Sequence, residues 1–349
     1  MPDYSTPRSS VYKAIKPEFA ILDIPHTSAG VEEALGVYVI TRVAGHTPTP
    51  SALLYISRDG GTTYHEAMVI DKHATTGVLN KAGALGLNNA DGASLAVGRD
   101  TVSTPSIFWD DSYAPQSVSE NELLNGENTI MVGDEILQFK TAVAMGNGVY
   151  AHSELLRGRR GTEPNILGLQ DKNMAVVLNG LPFLPLRHSD VGKQLYFKCV
   201  TSGMSLDDSN VFSLQFQGNS LKPFAPSNIT GTRNASQDVT ISWNRRSRSI
   251  VRLMGVKRLP YGEDSGDYEI DILTPTIPHT VLRTIKADGA TSATYTASQQ
   301  TADGLTLGDA LFFRVYQMSD AVGRGQTNTV KLLAGSTPNF KQKSVHVTT

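Results

Sequence analysis

The chain has 349 residues, room for two or three domains and a sizeable core, and its charges nearly cancel, 31 Lys+Arg against 33 Asp+Glu. That balance weighs against a dedicated nucleic-acid binder, which carries a basic excess. A single cysteine, Cys199, excludes an intrachain disulfide framework and a thiolate zinc site, and no stretch approaches the apolar length of a membrane-spanning helix.

Residues 1–18 read as an N-terminal arm, rich in Ser, Pro and Tyr and without period. The start lacks the charged-then-apolar pattern of a secretory leader, so synthesis in a cytoplasm is expected. From Phe19 strand signals follow one another, at 20–24, 36–43, 51–57 and 64–70. Asp59-Gly60-Gly61 lies between the last two and predicts a hairpin turn, since glycine accepts the positive φ that such turns need. Residues 75–100 are rich in Gly, Ala and Asn and read as a long surface excursion carrying Leu79, Leu85, Leu87, Leu95 and Val97. Trp109-Asp110-Asp111 follows; two aspartates beside an aromatic ring suit a sugar or cation contact, or close a solvated turn. Ser119 with Glu122 three residues on predicts a capped short helix within 117–125. Segments 128–132 and 135–140 flank Gly133-Asp134 as a tight hairpin, and alternation along the second predicts one buried face. After a turn at Met145-Gly-Asn-Gly148, a strand over 149–156 runs into Arg157-Gly-Arg159-Arg160-Gly161-Thr162-Glu163. Three more strands fall at 174–178, 194–200 and 211–216, which completes a β-rich domain over 19–220. Residues 221–225 read as a linker, stiffened by Pro223 and the following Pro226.

A different rhythm starts at Pro226. Seven short strands, near 228–232, 239–243, 268–272, 281–285, 293–297, 311–316 and 329–333, are separated by turn residues, the pattern of a β-sandwich. The order of Pro226, Trp243 on the second strand, Tyr268 on the third and Phe313-Arg-Val-Tyr316 on the sixth resembles a fibronectin type III domain over 226–334. Trp243 and Tyr268 are its expected core. The tyrosine usual near the start of the sixth strand appears as Phe312 or Phe313, which cannot make the corner hydrogen bond. Residues 335–349 read as a tail. The fold class is therefore all-β.

The charged loop after residue 156 invites three readings: a phosphate cradle, a nucleic-acid patch, or an ion-paired corner. A phosphate cradle needs glycines leading to a Lys-Ser/Thr pair at a helix start; this loop has no lysine and no helical period follows it. No Gly-x-Ser-x-Gly elbow occurs. The eight histidines are dispersed, with no pair at helical ligand spacing, so no metal site is expected. The two carboxylates of a glycosidase are always available among 33 acids and signal nothing. Arg245, Arg246 and Arg248 form a second basic cluster. With Arg157, Arg159 and Arg160 they would make either a polyanion groove or a set of guanidinium forks bracing loop corners. Charge balance favours braces, with Glu163 beside the first cluster and Glu263 and Asp264 in the same sandwich as the second. At least one arginine of the first loop is then expected to be buried and paired.

These clusters carry a resemblance. Tyr150-(x)4-Leu155-Leu156-Arg157-Gly-Arg159-Arg160-Gly161-Thr162-Glu163 resembles a motif in the large tail-tip proteins of long-tailed phages and gene transfer agents, the baseplate-hub or tail-fibre proteins of the host-specificity type. Three later segments match in the same order: Ile241-Ser-Trp243-Asn-Arg245-Arg246-Ser-Arg248, Pro260-Tyr-Gly262-Glu263-Asp264-Ser-Gly-Asp-Tyr268-Glu269-Ile270, and Val315-Tyr-Gln317-Met-Ser319-Asp-Ala-Val-Gly323-Arg-Gly325. Ala20-Ile-Leu-Asp23-Ile-Pro25 and Leu54-Tyr55-Ile-Ser57-Arg-Asp59-Gly60 look like the start of the same region, so the resemblance spans roughly 19–332. Two departures stand out: the hub domains that precede this region in large members have no counterpart here, and Ile250-Val-Arg-Leu stands where a tryptophan often follows the second cluster.

The resemblance implies a structural protein of the virion tail tip, made in the host cytoplasm and released by lysis. It implies a homotrimer around the tail axis, with hub and distal tail proteins as partners and a host envelope receptor or polysaccharide as a contact. No enzyme activity, cofactor or nucleic-acid partner is implied. Two alternatives belong to other classes: a tail-associated carbohydrate-binding or polysaccharide-degrading module, with Trp109, Asp110 and Asp111 as its contact, and an intracellular polyanion binder using both arginine clusters.

Overall fold

A computed structural model describes residues 16–27, 34–42, 51–81, 98–110, 113–166, 171–248, 263 and 265–334. Most of the expected arm, the tail over 335–349, Leu85, Leu87, Leu95, Val97, Asp111 and Asp264 lie outside the described residues.

The first region runs through β1 (Glu18–Leu22), β2 (Gly36–Arg42), β3 (Ala52–Ser57), β4 (His65–Ile70), β5 (Thr76–Lys81), β6 (Gly98–Asp100), β7 (Ser106–Trp109) and α1 (Glu120–Leu124). It continues through β8 (Thr129–Val132), β9 (Glu135–Gly146), β10 (Val149–Arg157), β11 (Met174–Val177), β12 (Phe183–Pro185), β13 (Gln194–Thr201) and β14 (Phe212–Gln215). These make three sheets: β1-β2-β12, β14-β13-β3-β4, and a larger one in which β10-β7-β5-β11-β8-β9 closes because β9 also pairs β10. The last is an antiparallel barrel, and closure leaves those six strands no free edge. Leu79, Ile107, Trp109, Ile130, Leu137 and Phe139 fill it.

The short sheet lies between the other two, as strand alternation allows. Val37 and Val39 of β2 enter a core with Leu54, Ile56, Phe197 and Cys199 of the four-stranded sheet. Tyr38 and Ile40, pointing the other way, enter a core with Met131, Ile136 and Val176 on the barrel's outer wall. The barrel is thus an insertion between β4 and β12 of a two-sheet sandwich.

Two expectations need correction here. The segment after residue 75 is no surface excursion at its start: β5 runs between β7 and β11 with Leu79 fully buried. The β9 strand buries both faces, not one. Leu137 and Phe139 line the barrel, Ile136 joins the core against β2, and the Gln138 amide donates to the Leu123 and Glu127 carbonyls. Elsewhere local signals and structure coincide. Ser119 Oγ accepts from the Glu122 N–H while the Glu122 carboxylate accepts from the Ser119 N–H, closing the capping box of α1. Asp59 Oδ1 accepts the N–H groups of Thr62 and Thr63 and so holds the β3–β4 turn.

The second region comprises β15 (Ser227–Arg233), β16 (Val239–Asn244), β17 (Tyr268–Leu273), β18 (Val281–Ala287), β19 (Ser292–Tyr295), α2 (Ala297–Ala302), β20 (Leu311–Ser319), β21 (Gly323–Arg324) and β22 (Thr329–Leu332). One sheet is β15-β16-β19; the other is β18-β17-β20, with β21 and β22 both on β20. Apart from the two-residue β21, three strands against four in this order is the fibronectin type III arrangement, and its core holds Trp243, Tyr268, Ile270, Tyr295 and Phe313. α2 carries no strong periodicity in sequence and is fixed by its Thr296 cap. Phe313 is core, while the corner is closed from the strand before: Tyr295 donates to Asp303, which also pairs with Arg283. Residues 221–225 do not form a free linker, since Leu221, Phe224 and Ala225 are buried.

Candidate functional site

The arginine loop begins where β10 leaves the barrel. Alternation carries Arg157 inward, and its guanidinium is 2% exposed. Nε and one terminal nitrogen donate to the two Glu135 oxygens at 2.6 and 2.7 Å, a bidentate fork. The remaining nitrogen donates to Asp100 Oδ2 at 3.2 Å, and a further bond reaches the Ile166 carbonyl. Glu135 also accepts the Gly158 N–H, and Asp100 accepts those of Val102 and Ser103. Burial disfavours the Arg157 charge, but Glu135 and Asp100 together hold its pKa above the usual arginine value. Burial likewise opposes the Asp100 carboxylate; Ser103, Val102 and Arg157 outweigh it and keep its pKa below the ordinary range.

Beyond Arg157 the backbone turns through left-handed residues, Gly158 at φ 57°, Arg160 at φ 57° and Gly161 at φ 84°. Arg159 is exposed on this turn and donates to Gln138; Arg160 is half-buried. The turn presses Gly161 and Glu163 against the second region. A Cβ on Gly161 would stand 2.0 Å from Gln326 Oε1 and 2.8 Å from the Phe224 ring. Glu163, nearly buried, accepts from Arg246 at 2.6 Å. Arg246 also donates to the Ala225 carbonyl and lies over the Phe224 ring at 5.3 Å.

The same seam continues along the end of the sandwich. Gln326 N–H donates to the Pro223 carbonyl, and Gly325 approaches Pro223 so closely that a Cβ would meet its carbonyl oxygen at 2.7 Å. Ala321 and Val322, between β20 and β21, pack on the core of the first region. Arg248 pairs with the buried Glu263 at 2.8 Å, and Arg245 is half-buried. Arg324 forks onto Glu269 and Asp271 and stacks over Tyr316 at 4.6 Å. Five of the eight brace residues named from sequence therefore fall into three groups. Arg157 braces the barrel, Glu163 and Arg246 join the two regions, and Arg248 with Glu263 braces the sandwich. Sequence reasoning missed Glu135, Asp100 and Arg324. A charged residue opening the apolar strand at 135 was the available signal for the first; the short β6 gave none for Asp100.

Trp109 is not a sugar contact. It is 2% exposed inside the barrel, with its indole N–H donating to His152 at 3.3 Å. Asp110 pairs with Arg42 at 3.2 Å and accepts from Thr76, so it is tied to the barrel's end. His152 is itself fully buried, and burial pushes its pKa down to about 4, so it is neutral at physiological pH. Among the described residues no group of three or more His, Cys, Asp or Glu side chains is placed to hold a metal ion, and no helix is long and apolar enough to cross a membrane.

Gly161 gives the seam a direct test. Alanine there meets both a left-handed φ and the Phe224 ring, for an expected loss of about 2–3 kcal/mol. Gly180, at φ 79° with nothing near its missing Cβ, supplies the φ cost alone. Urea unfolding of Gly161→Ala and Gly180→Ala is expected to differ by at least ~1 kcal/mol; equal losses would mean that the close approach at the seam carries no weight.

A family model described as "Rcc01698-like, C-terminal" matches residues 74–177, the stretch that forms the barrel. No curated protein matches the chain. Among solved structures, the crystal structure of domains A168-A170 from titin is similar at 9% identity, over 92% of this chain and 99% of that one, with a TM-score of 0.21. A likeness that loose carries no argument.

Proposed function

We propose that this protein is a structural component of a long-tailed phage or gene-transfer-agent particle, placed at the tail tip or baseplate. There it extends or closes the tail and contributes to contact with the host surface. The observation that carries the reading is the use of the segments on which the tail-tip resemblance rests. The 157–163 loop, the 245–248 cluster and the 315–325 segment meet along one seam between the barrel and the sandwich. Their charged groups bind one another and the backbone; Arg157, Arg246, Arg248 and Arg324 all hold carboxylates within the chain. Residues committed to internal ion pairs fix the relative placement of β-modules, which is what a load-transmitting particle component needs. The polyanion reading, which needs those arginines to face phosphates, loses support from the same geometry.

The partners that follow are hub and distal tail proteins and, in the assembled tip, further copies of this chain about the tail axis. The test is the protein content of purified particles. The chain is expected there in a copy number that is a multiple of three, with labelled antibody decorating the tail tip in electron micrographs. Its absence from purified particles overturns the proposal. So does release of reducing ends from host envelope polysaccharide by the purified protein, which would make it a depolymerase.

A further inference from the structure

Among the described residues two histidines are buried, and they differ in what their ring nitrogens face. His26 has Nδ1 3.1 Å from the Tyr38 hydroxyl and Nε2 2.6 Å from the Ala34 carbonyl. Both oxygens can accept, so a ring carrying two protons would keep both bonds. His152 of β10 is fully buried inside the barrel. Its Nε2 faces the Trp109 indole N–H, a group that only donates. Nε2 is therefore the accepting nitrogen. The neutral ring carries its proton on Nδ1, which has no hydrogen-bond partner among the described residues.

Nothing described around this ring offers a charge to offset a second proton. Phe139 of β9 lies edge-on with ring centroids 4.5 Å apart, and Trp109 of β7 does so at 5.9 Å. Leu79, Ile130, Leu155 and Ala175 fill the same core from the other strands. The titratable groups packed against it are the phenols of Tyr113 and Tyr150. The charged side chains described on the barrel strands pair among themselves: Arg157 with Glu135 and Asp100, and Lys140 and Arg99 with Glu154. Asp110, just beyond β7, is held by Arg42.

We propose that the Trp109–His152 pair is an acid-sensitive latch of the barrel: a proton on Nε2 sets two donors against each other, the indole must withdraw, and the barrel loosens. A cation is then buried without a counter-charge, which is what makes the folded state resist the proton. Burial accordingly pushes the His152 pKa down to about 4. The unfolded chain, near the ordinary value of about 6.5, binds this proton first. The stability that His152 contributes is therefore full above about pH 6.5 and is lost as pH falls from there to about 4. Over that window the folded-to-unfolded ratio drops about tenfold per pH unit. The loss sets in at milder acid than the one tied to Asp100. It belongs to the barrel and is independent of the tail-tip reading.

Urea unfolding of the full chain, repeated from about pH 7.5 down to about pH 4, tests it. His152→Gln keeps an acceptor for the indole N–H and does not titrate. Relative to the native chain it is expected to remove a loss of about tenfold per pH unit over the window. His26→Gln is expected to keep the native slope. A slope that survives in His152→Gln overturns the proposal, as does one that disappears in His26→Gln. Nuclear magnetic resonance of the ring nitrogens in the native chain needs no variant. His152 is expected as one neutral tautomer protonated on Nδ1, with no second proton until the pH is well below the ordinary histidine value. A ring protonated on Nε2 at neutral pH, or one that titrates at about 6.5, overturns the proposal equally.

Discussion

Replacing Arg157 with methionine is expected to destabilise the barrel by about 3–5 kcal/mol, the cost of removing one partner from a buried ion pair. Glu135 is fully buried and Asp100 nearly so, and both would lose the cation that offsets them. The loss should exceed that of a surface pair such as Arg99 with Glu154, whose partners are screened by solvent. Arg157→Lys should recover little, because one ammonium cannot span both Glu135 oxygens and reach Asp100. Urea unfolding measures the difference, and a change below ~1 kcal/mol for Arg157→Met would show that the barrel does not depend on the pair. Asp100 adds an acid limb to this result. Its folded-state pKa lies below the ordinary value. Its contribution is therefore present above the unfolded value of about 3.9 and lost as pH falls through the lower folded one. Stability of the native protein should fall below about pH 4, and Asp100→Asn should flatten that limb.

Legibility in the sequence followed the range of the interaction. The Ser119 cap, the Asp59 turn and the 133–134 hairpin are set by residues within four positions of one another, and all three could be read directly. The sandwich strands were legible because each has one buried face, which gives alternation such as that of β20. β2 and β9 were not legible in that way. Each lies between two cores, so the alternation that signals a face is replaced by continuous burial. Barrel closure depends on β9 meeting both β8 and β10, which no local pattern records. The site divides along the same line. Arg248 with Glu263 is close in sequence and lies in one sandwich. Arg157 with Asp100, 57 residues apart, and Arg246 with Glu163, 83 apart, are products of the fold. Trp109 was misread because an aromatic residue beside two aspartates has the same composition whether the ring faces solvent or the barrel interior.

Trp243→Ala should make the sandwich unfold well before the barrel. Trp243 is 3% exposed and packs on Tyr268 with ring centroids 5.1 Å apart, at the centre of a core that also holds Ile241, Ile270, Phe313 and Val315. Truncating so large a buried ring costs about 3–5 kcal/mol through lost contacts and the cavity left behind. That is a large fraction of what a domain of this size has in reserve. The barrel core contains no sandwich residue, and the neighbouring core of the first region takes only Ala321 and Val322 from the sandwich. Loss of the sandwich therefore strips the seam, including the Arg246–Glu163 pair, without opening the barrel. The chain has two tryptophans, one in each region, so the variant carries its own reporter: Trp109 becomes the sole emitter and reports on the barrel. On heating, the circular dichroism of the sandwich strands should be lost first, with Trp109 emission holding to a higher temperature. A melting curve identical to the native one would remove Trp243 from the core. Simultaneous loss of both signals would instead make the seam, rather than the separate cores, the unit of cooperativity. Gly161→Ala would then be expected to act on both regions together.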